Sequence, residues 1–199
     1  AVVPAVLTRL VWAMWVGTLA VVAGFVRTDP TWAVEGLVAI DGLTVVMWTV
    51  VAFFSGIVHS YARRYLAGNP AQTQFFTRVF AFTLAVMVVV AADHAALFAA
   101  AWLAMGLLMA ELIGHVDGWP QAQAAARTSR RYFVASTALV AASLAVLWLT
   151  TGATTITGML AAVGDLSTTT AVLAAAGLVV AAMIQSALIP FHTWTPSSM

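Results

Sequence analysis

The chain alternates long apolar runs with short polar interruptions, and the runs lack the polar face that a helix on a watery surface carries every 3.6 residues. Roughly 20 consecutive apolar residues match the hydrocarbon thickness of a bilayer, so such runs predict membrane-crossing helices. Six are predicted, over residues 4–26, 39–60, 75–92, 95–115, 132–150 and 169–189. Arg9 interrupts the first run near its start, where a long side chain reaches the headgroups. The TDPTW segment should end that run as a turn. A second turn is predicted at Gly68 to Pro70, a very tight one at Asp93, and Pro190 should stop the sixth run. The stretch 150–169, TTGATTITGMLAAVGDLSTT, is weakly amphipathic and predicts a segment lying on the surface rather than crossing. The first run is too long for a signal peptide and has no small-residue cleavage pattern, so it reads as a retained span. The predicted fold is an all-α membrane protein, a polytopic helix bundle forming a single transmembrane domain over residues 1–199.

Composition agrees with that pattern and narrows the chemistry. The chain is 63% hydrophobic and 8% charged, against about 25% charged in a soluble domain. No basic patch of nucleic-acid-binding type is present. Cysteine is absent, which removes disulfides, thiolate metal sites and cysteine nucleophiles together. No Gly-rich phosphate loop, metal-ligand spacing or nucleophile motif occurs, so an enzyme acting alone is not predicted and no cofactor is expected in this chain.

All eight basic residues are arginine, and their distribution orients the spans. With six crossings, Arg9, Arg63, Arg64, Arg78, Arg127, Arg130 and Arg131 fall on one side of the membrane and Arg27 alone on the other. By the positive-inside rule the amino terminus and the 116–131 loop should be cytoplasmic. The loop arginines Arg127, Arg130 and Arg131 are candidates for docking a soluble partner.

Candidate chemistry concentrates on residues 92–115, a membrane-length run with Asp93 and Glu111 near its ends. In one continuous helix these carboxylates share a face, roughly 27 Å apart along the axis, and His115 falls on that face too. Gly106, Ala110 and Gly114 form a small-xxx-small ridge beside it, which in lipid admits another helix closely. A carboxylate in hydrocarbon costs several kcal/mol unless it is protonated or paired, so Glu111 is either a proton- or ion-exchanging group or half of an interhelical bond. For Asp93, His94 and His115 an interfacial role competes with a place on an ion path. Asp41, followed by Gly42 and an apolar run, has the form of a helix amino-terminal cap. His59 and Tyr61 could line a path or anchor a span end. Gln185, beside Ser186 in the sixth run, carries an amide whose hydrogen-bonding positions need partners on other helices.

From Asp41 onward the chain resembles the antiporter-like proton-translocating membrane subunits, the family of the large complex I subunit NuoL and the Mrp antiporter subunits. The resemblance rests on an ordered set: Asp-Gly-Leu-Thr at 41–44; His59, Tyr61 and Tyr65 in HSYARRY; Phe75 and Phe76; Ala92 and Asp93 ahead of Trp102; Gly106, Ile113 and Gly114; and PFHTWTP at 190–196, which contains His192. With the residues singled out above, the candidate ion or proton path comprises Glu111, His115, Asp93, His59, Gln185 and His192. Departures accompany it. The family's glutamate after the tryptophan is Leu103 here, its broken-helix lysine aligns with Gln185, and the Arg and Asp of its R-x-G-D element align with Thr137 and Val140. This pattern is similar to the branch serving as membrane subunit of the Dab inorganic-carbon transporters. That resemblance implies a large soluble or peripheral zinc-containing partner of DabA type, related to β-carbonic anhydrases, with the zinc held in the partner.

The implied function is coupling of a proton or sodium gradient to uptake of bicarbonate or dissolved carbon dioxide, in a bacterial inner membrane. The alternatives are a proton-pumping subunit of a complex I or Mrp-type assembly, or a membrane anchor whose ion path is degenerate. Family members continue past the final P-x-x-M into further helices and an inverted second half, which implies a truncated or split subunit.

Overall fold

The computed structural model describes residues 2–28, 32–116 and 118–195. Six of its helices are long and apolar enough to cross a membrane, and the chain is a polytopic helical membrane protein. It divides into two compact units, residues 1–91 and 92–199.

In the first unit α1 (Val2–Thr28), α2 (Gly42–Tyr65) and α3 (Gln72–Ala91) pack pairwise. A two-stranded antiparallel hairpin, β1 (Trp32–Val34) and β2 (Val38–Ile40), precedes α2, with Trp32 opposite Ile40. The sequence pattern missed it, because three-residue strands are too short to show a period of two; the span predicted from 39 begins only at Gly42. Gly36 closes the hairpin at φ 73°, a backbone conformation that glycine adopts without a Cβ penalty. Most of the predicted TDPTW turn lies outside the described residues, as do residues 196–199.

Asp41 caps α2 as its sequence suggests. Its Oδ1 accepts hydrogen bonds from the Thr44 amide and the Thr44 hydroxyl, both at 2.8 Å. Those two donors, the amide first, hold the Asp41 carboxyl below its ordinary pKa, because they bind the ionised form better than the protonated one. The far end of α2 runs through Arg63, Arg64 and Tyr65, beyond the predicted limit at 60, since nothing before Gly68 breaks a helix once it leaves the hydrocarbon.

The second unit holds α4 (Ala95–Ile113), α5 (Pro120–Thr151), the short α6 (Ile156–Ala161), a 3-10 turn (Val163–Asp165) and α7 (Thr168–Gln185). α4 and α5 meet along the small-residue ridge. A Cβ added to Gly106 would stand 2.7 Å from Phe133 Cβ, and one added to Gly114 would stand 2.8 Å from Ala126 Cβ; Ala110 between them is fully buried. α5 meets α7 where Gly177 faces the Ser143 hydroxyl with no room for a side chain between them. Such approaches suit helix association in lipid, where dispersion and interhelical hydrogen bonds replace the hydrophobic drive.

Boundaries in this unit also differ from the sequence pattern. α5 begins at Pro120, not 132, so Arg127, Arg130 and Arg131 lie on a helix instead of in a loop. Proline is favoured in a first turn, and the alanine-rich stretch after it has strong helix propensity without being apolar enough to read as a span. Gly152, at φ 74°, ends α5 in the left-handed conformation usual for a helix carboxyl terminus. α4 starts after the cap His94 and stops at Ile113, so Asp93 and His115 flank the helix and the predicted continuous face does not include them. α7 stops at Gln185, where Ser186 is the cap and Ala187 follows at φ 54°. As predicted, the 150–169 stretch makes no crossing-length helix; α6 tucks its Met159, 1% exposed, against Val140, Leu144 and Ala181.

Candidate functional site

The carboxyl end of α4 carries two of the predicted residues, Glu111 and His115. Glu111 lies in its last turn, half-buried, and His115 follows the cap Gly114, also half-buried. Gln123 of α5 secures this helix end: its Nε2 donates to Gly114 O at 2.8 Å and to Val116 O at 3.4 Å. The residues around Glu111 then join a cluster. Ala110 packs with Phe133 of α5 and with Trp194 from the segment after α7, and Met109, Ile113, Tyr132 and Ala187 complete it.

Trp194 ties the segment after α7 into this cluster. Its Nε1 donates to Ile184 O at 2.9 Å, and its ring meets Phe133 edge-on at 4.9 Å between centroids. The Tyr132 hydroxyl and Thr193 Oγ1 lie 2.7 Å apart. Neighbours in sequence of Glu111, Gln185 and His192 therefore pack together, although 74 positions separate Glu111 from Gln185 in the chain. Gln185 Oε1 is buried and accepts no hydrogen bond among the described residues. His192 is exposed. The arrangement thus brings the sequence neighbours of a carboxyl and of a buried amide into one cluster at the end of an apolar helix.

Asp93 stands at the opposite end of α4 and is engaged in structure. Its Oδ1 accepts from the Thr157 amide at 2.9 Å, its Oδ2 accepts from the Thr157 hydroxyl at 2.8 Å, and its carbonyl accepts from Ile156 N at 2.6 Å. With Ala95 N donating to Thr154 O at 3.0 Å, this clamp pins the start of α6 to the start of α4. The His94 ring accepts from Ala96 N at 3.2 Å as a helix cap.

His59 belongs to the first unit, buried inside α2 at 1% exposure. Its Nδ1 lies 2.8 Å from Ser55 O, and because a carbonyl can only accept, Nδ1 is the donor of that pair. Nε2 is buried with no hydrogen-bond partner among the described residues, and Phe76 stands edge-on to the ring at 5.3 Å. Ser55 Oγ continues the polar run to Thr83 Oγ1 of α3 at 2.7 Å. Arg127, Arg130 and Arg131 are exposed on α5.

One polar junction was not anticipated. Trp102 Nε1 of α4 donates to Ser136 Oγ of α5 at 3.0 Å, and Ser136 donates to Ala181 O of α7 at 2.9 Å, so one hydroxyl joins three helices. Ser129, Ser136 and Ser143 recur every seven residues and are all buried. That spacing within an apolar run was the available sign of a helix face given over to close packing.

Comparison with known proteins agrees with this architecture. The family description "NADH:quinone oxidoreductase/Mrp antiporter, TM" matches residues 91–199, and "NADH-Ubiquinone oxidoreductase (complex I), chain 5 N-terminus" matches residues 31–76. The probable inorganic carbon transporter subunit DabB1 of Halothiobacillus neapolitanus is 30% identical over 92% of this chain and 36% of its own length. DabB2 of the same organism is 30% identical over 79% of this chain and 29% of its own length. NADH-quinone oxidoreductase subunit L of Mycobacterium tuberculosis is 28% identical over 80% of this chain and 25% of its own length. The chain thus spans between a quarter and about a third of these curated relatives. With more than half of its residues matching the first of those descriptions, over the unit that holds Glu111 and the Trp194 cluster, the chain belongs to the NADH:quinone oxidoreductase/Mrp antiporter family of membrane subunits.

Proposed function

We propose that this chain is part of the membrane subunit of an inorganic-carbon uptake complex, coupling a proton or sodium gradient to a zinc-containing partner of carbonic-anhydrase type. The observation that carries this reading is the similarity to DabB1, which extends over 92% of the chain. The subunit sits in a bacterial inner membrane with its amino terminus cytoplasmic, as the arginine distribution favours.

In this reading Glu111 is the exchanging group. It stands at the end of a strongly apolar helix, where an ionised carboxylate is costly and a carboxyl that can lose and regain its proton has a use. His115, four residues on and past the helix end, passes the proton towards water. Gln185 Oε1, buried and unfilled, offers an acceptor to a hydrated ion or water in the same region. His59 and His192 are secondary members of the path, and Asp93 acts on it by holding α4 in place.

The test is Glu111→Gln in the assembled complex, which preserves shape but cannot exchange a proton. It should insert and assemble while gradient-dependent accumulation of inorganic carbon is lost. Wild-type accumulation that remains sensitive to an uncoupler would move the coupling site elsewhere. A second reading, a proton-pumping subunit of complex I or Mrp type, is favoured by the similarity to subunit L. Co-purification separates the two: a zinc protein supports carbon uptake, and quinone-oxidoreductase subunits support the alternative.

A further inference from the structure

We infer that the amino-terminal third of α5 carries a binding site for an anionic phospholipid, its headgroup held by Arg127, Arg130 and Arg131 and one acyl chain lying along Val134, Ala135 and Ala138. These six residues line one open groove of about 510 Å³ on the helix surface. The groove is divided by depth. Its upper half is three exposed arginines, with Arg130 and Arg131 side by side about one helical turn beyond Arg127, and its lower half is wholly apolar. Among the described residues no carboxylate lines it.

The depth of the arginines selects the occupant. Residues 132–150 form the apolar part of α5, roughly 28 Å of helix at 1.5 Å per residue, which matches a hydrocarbon core of about 30 Å. With that run in the hydrocarbon, residues 127–131 fall within roughly 7 Å of its edge, where lipid phosphates lie. Exposed Trp119 and the start of the helix at Pro120 lie further out. A guanidinium presents paired N–H donors that match two phosphate oxygens at once, and three of them exceed the single charge of one phosphodiester. A headgroup carrying two phosphates fits this charge better than one carrying a single phosphate. The shallow surface below, lined by two alanines and a valine, leaves space for a chain that leucines in those places would fill.

The experiment uses the full chain purified in detergent and exchanged into nanodiscs of phosphatidylcholine alone, or with phosphatidylglycerol or cardiolipin. Native mass spectrometry reads the lipid that stays bound. The wild type should retain anionic lipid over phosphatidylcholine, cardiolipin more than phosphatidylglycerol. Replacing all three arginines with glutamine should reduce that retention on the order of a hundredfold, about a factor of five for each charge near the surface. These charges also set topology, so two further variants keep them. Lysine at all three positions preserves charge and insertion but loses the paired donors, and should weaken retention less than glutamine does. Ala138→Trp fills the apolar half and should weaken retention with every arginine in place. The proposal is overturned if the glutamine and tryptophan variants both retain cardiolipin as the wild type does. It is equally overturned if the arginine variants lose a protein partner while lipid retention is unchanged.

Discussion

Replacing Gly106 with alanine adds one methyl group where α4 and α5 come closest. The new carbon would stand 2.7 Å from Phe133 Cβ and 3.2 Å from Phe133 Cγ. Carbon atoms in contact rest about 3.5–4.0 Å apart, so the helices must separate locally by roughly 1 Å. A Cβ is fixed by its backbone, and no rotamer of Phe133 removes the overlap. Overpacking of this kind costs about 1–3 kcal/mol, while alanine gains up to about 1 kcal/mol over glycine in helix propensity. The comparison that isolates the collision is Gly17→Ala on α1, an exposed position with nothing within 4 Å of an added Cβ. Gly106→Ala should therefore unfold more easily than Gly17→Ala by about 1–3 kcal/mol, read from reversible denaturation in mixed micelles. Truncating the ring cannot rescue it. Phe133→Ala keeps the offending Cβ and removes the ring packed against Trp194, so the double variant should be less stable than either single one. Equal midpoints for the two glycine variants, or recovery on truncating Phe133, would refute the close approach as what holds α4 on α5.

The remaining predictions concern caps, clamps and topology. Asp41→Ala should cost about 1 kcal/mol through the lost α2 cap, whereas Asp41→Asn should be nearly neutral at pH 7 because its amide oxygen can still accept from Thr44. The Asp41 carboxyl sits below its usual range, so its contribution is complete above its ordinary value of 3.8 and fades as pH falls through the folded pKa. Thermal melts of the wild type should show that acid loss, and those of Asp41→Asn should lack it. Thr157→Val leaves the Asp93 carboxylate without its hydroxyl donor, and should raise hydrogen exchange in α6 before it alters the rest of the unit. Ser136→Ala removes a hydroxyl shared by three helices and should cost about 1–2 kcal/mol, with a change in Trp102 emission as its indole loses a partner. Cysteines placed at Gly118 and Asp165, beyond the two ends of α5, should label from opposite sides of the membrane, Gly118 from the cytoplasm; labelling from one side would contradict the arginine-based orientation.

Much of this molecule follows from composition and local pattern. The six crossing helices, the Asp41 cap, the non-crossing 150–169 stretch and the close-packing ridge at Gly106, Ala110 and Gly114 were all legible, because each depends on residues within a few turns of one another. Helix ends were less legible: α5 begins twelve positions before its apolar run, since a helix started by Pro120 and sustained by alanines needs no hydrophobicity to persist. What the ridge packs against, Phe133 and Ala126, was decided by tertiary structure, as was the convergence of Glu111's neighbours with those of Gln185 and His192 around Trp194. Asp93 shows the division most plainly. Its spacing from Glu111 suggested a shared helical face, yet the chain turns before α4 begins, and a threonine 64 positions later takes its carboxylate. A period along the sequence reports which face a residue occupies only where the helix is continuous, and a partner that distant in the chain leaves no local trace.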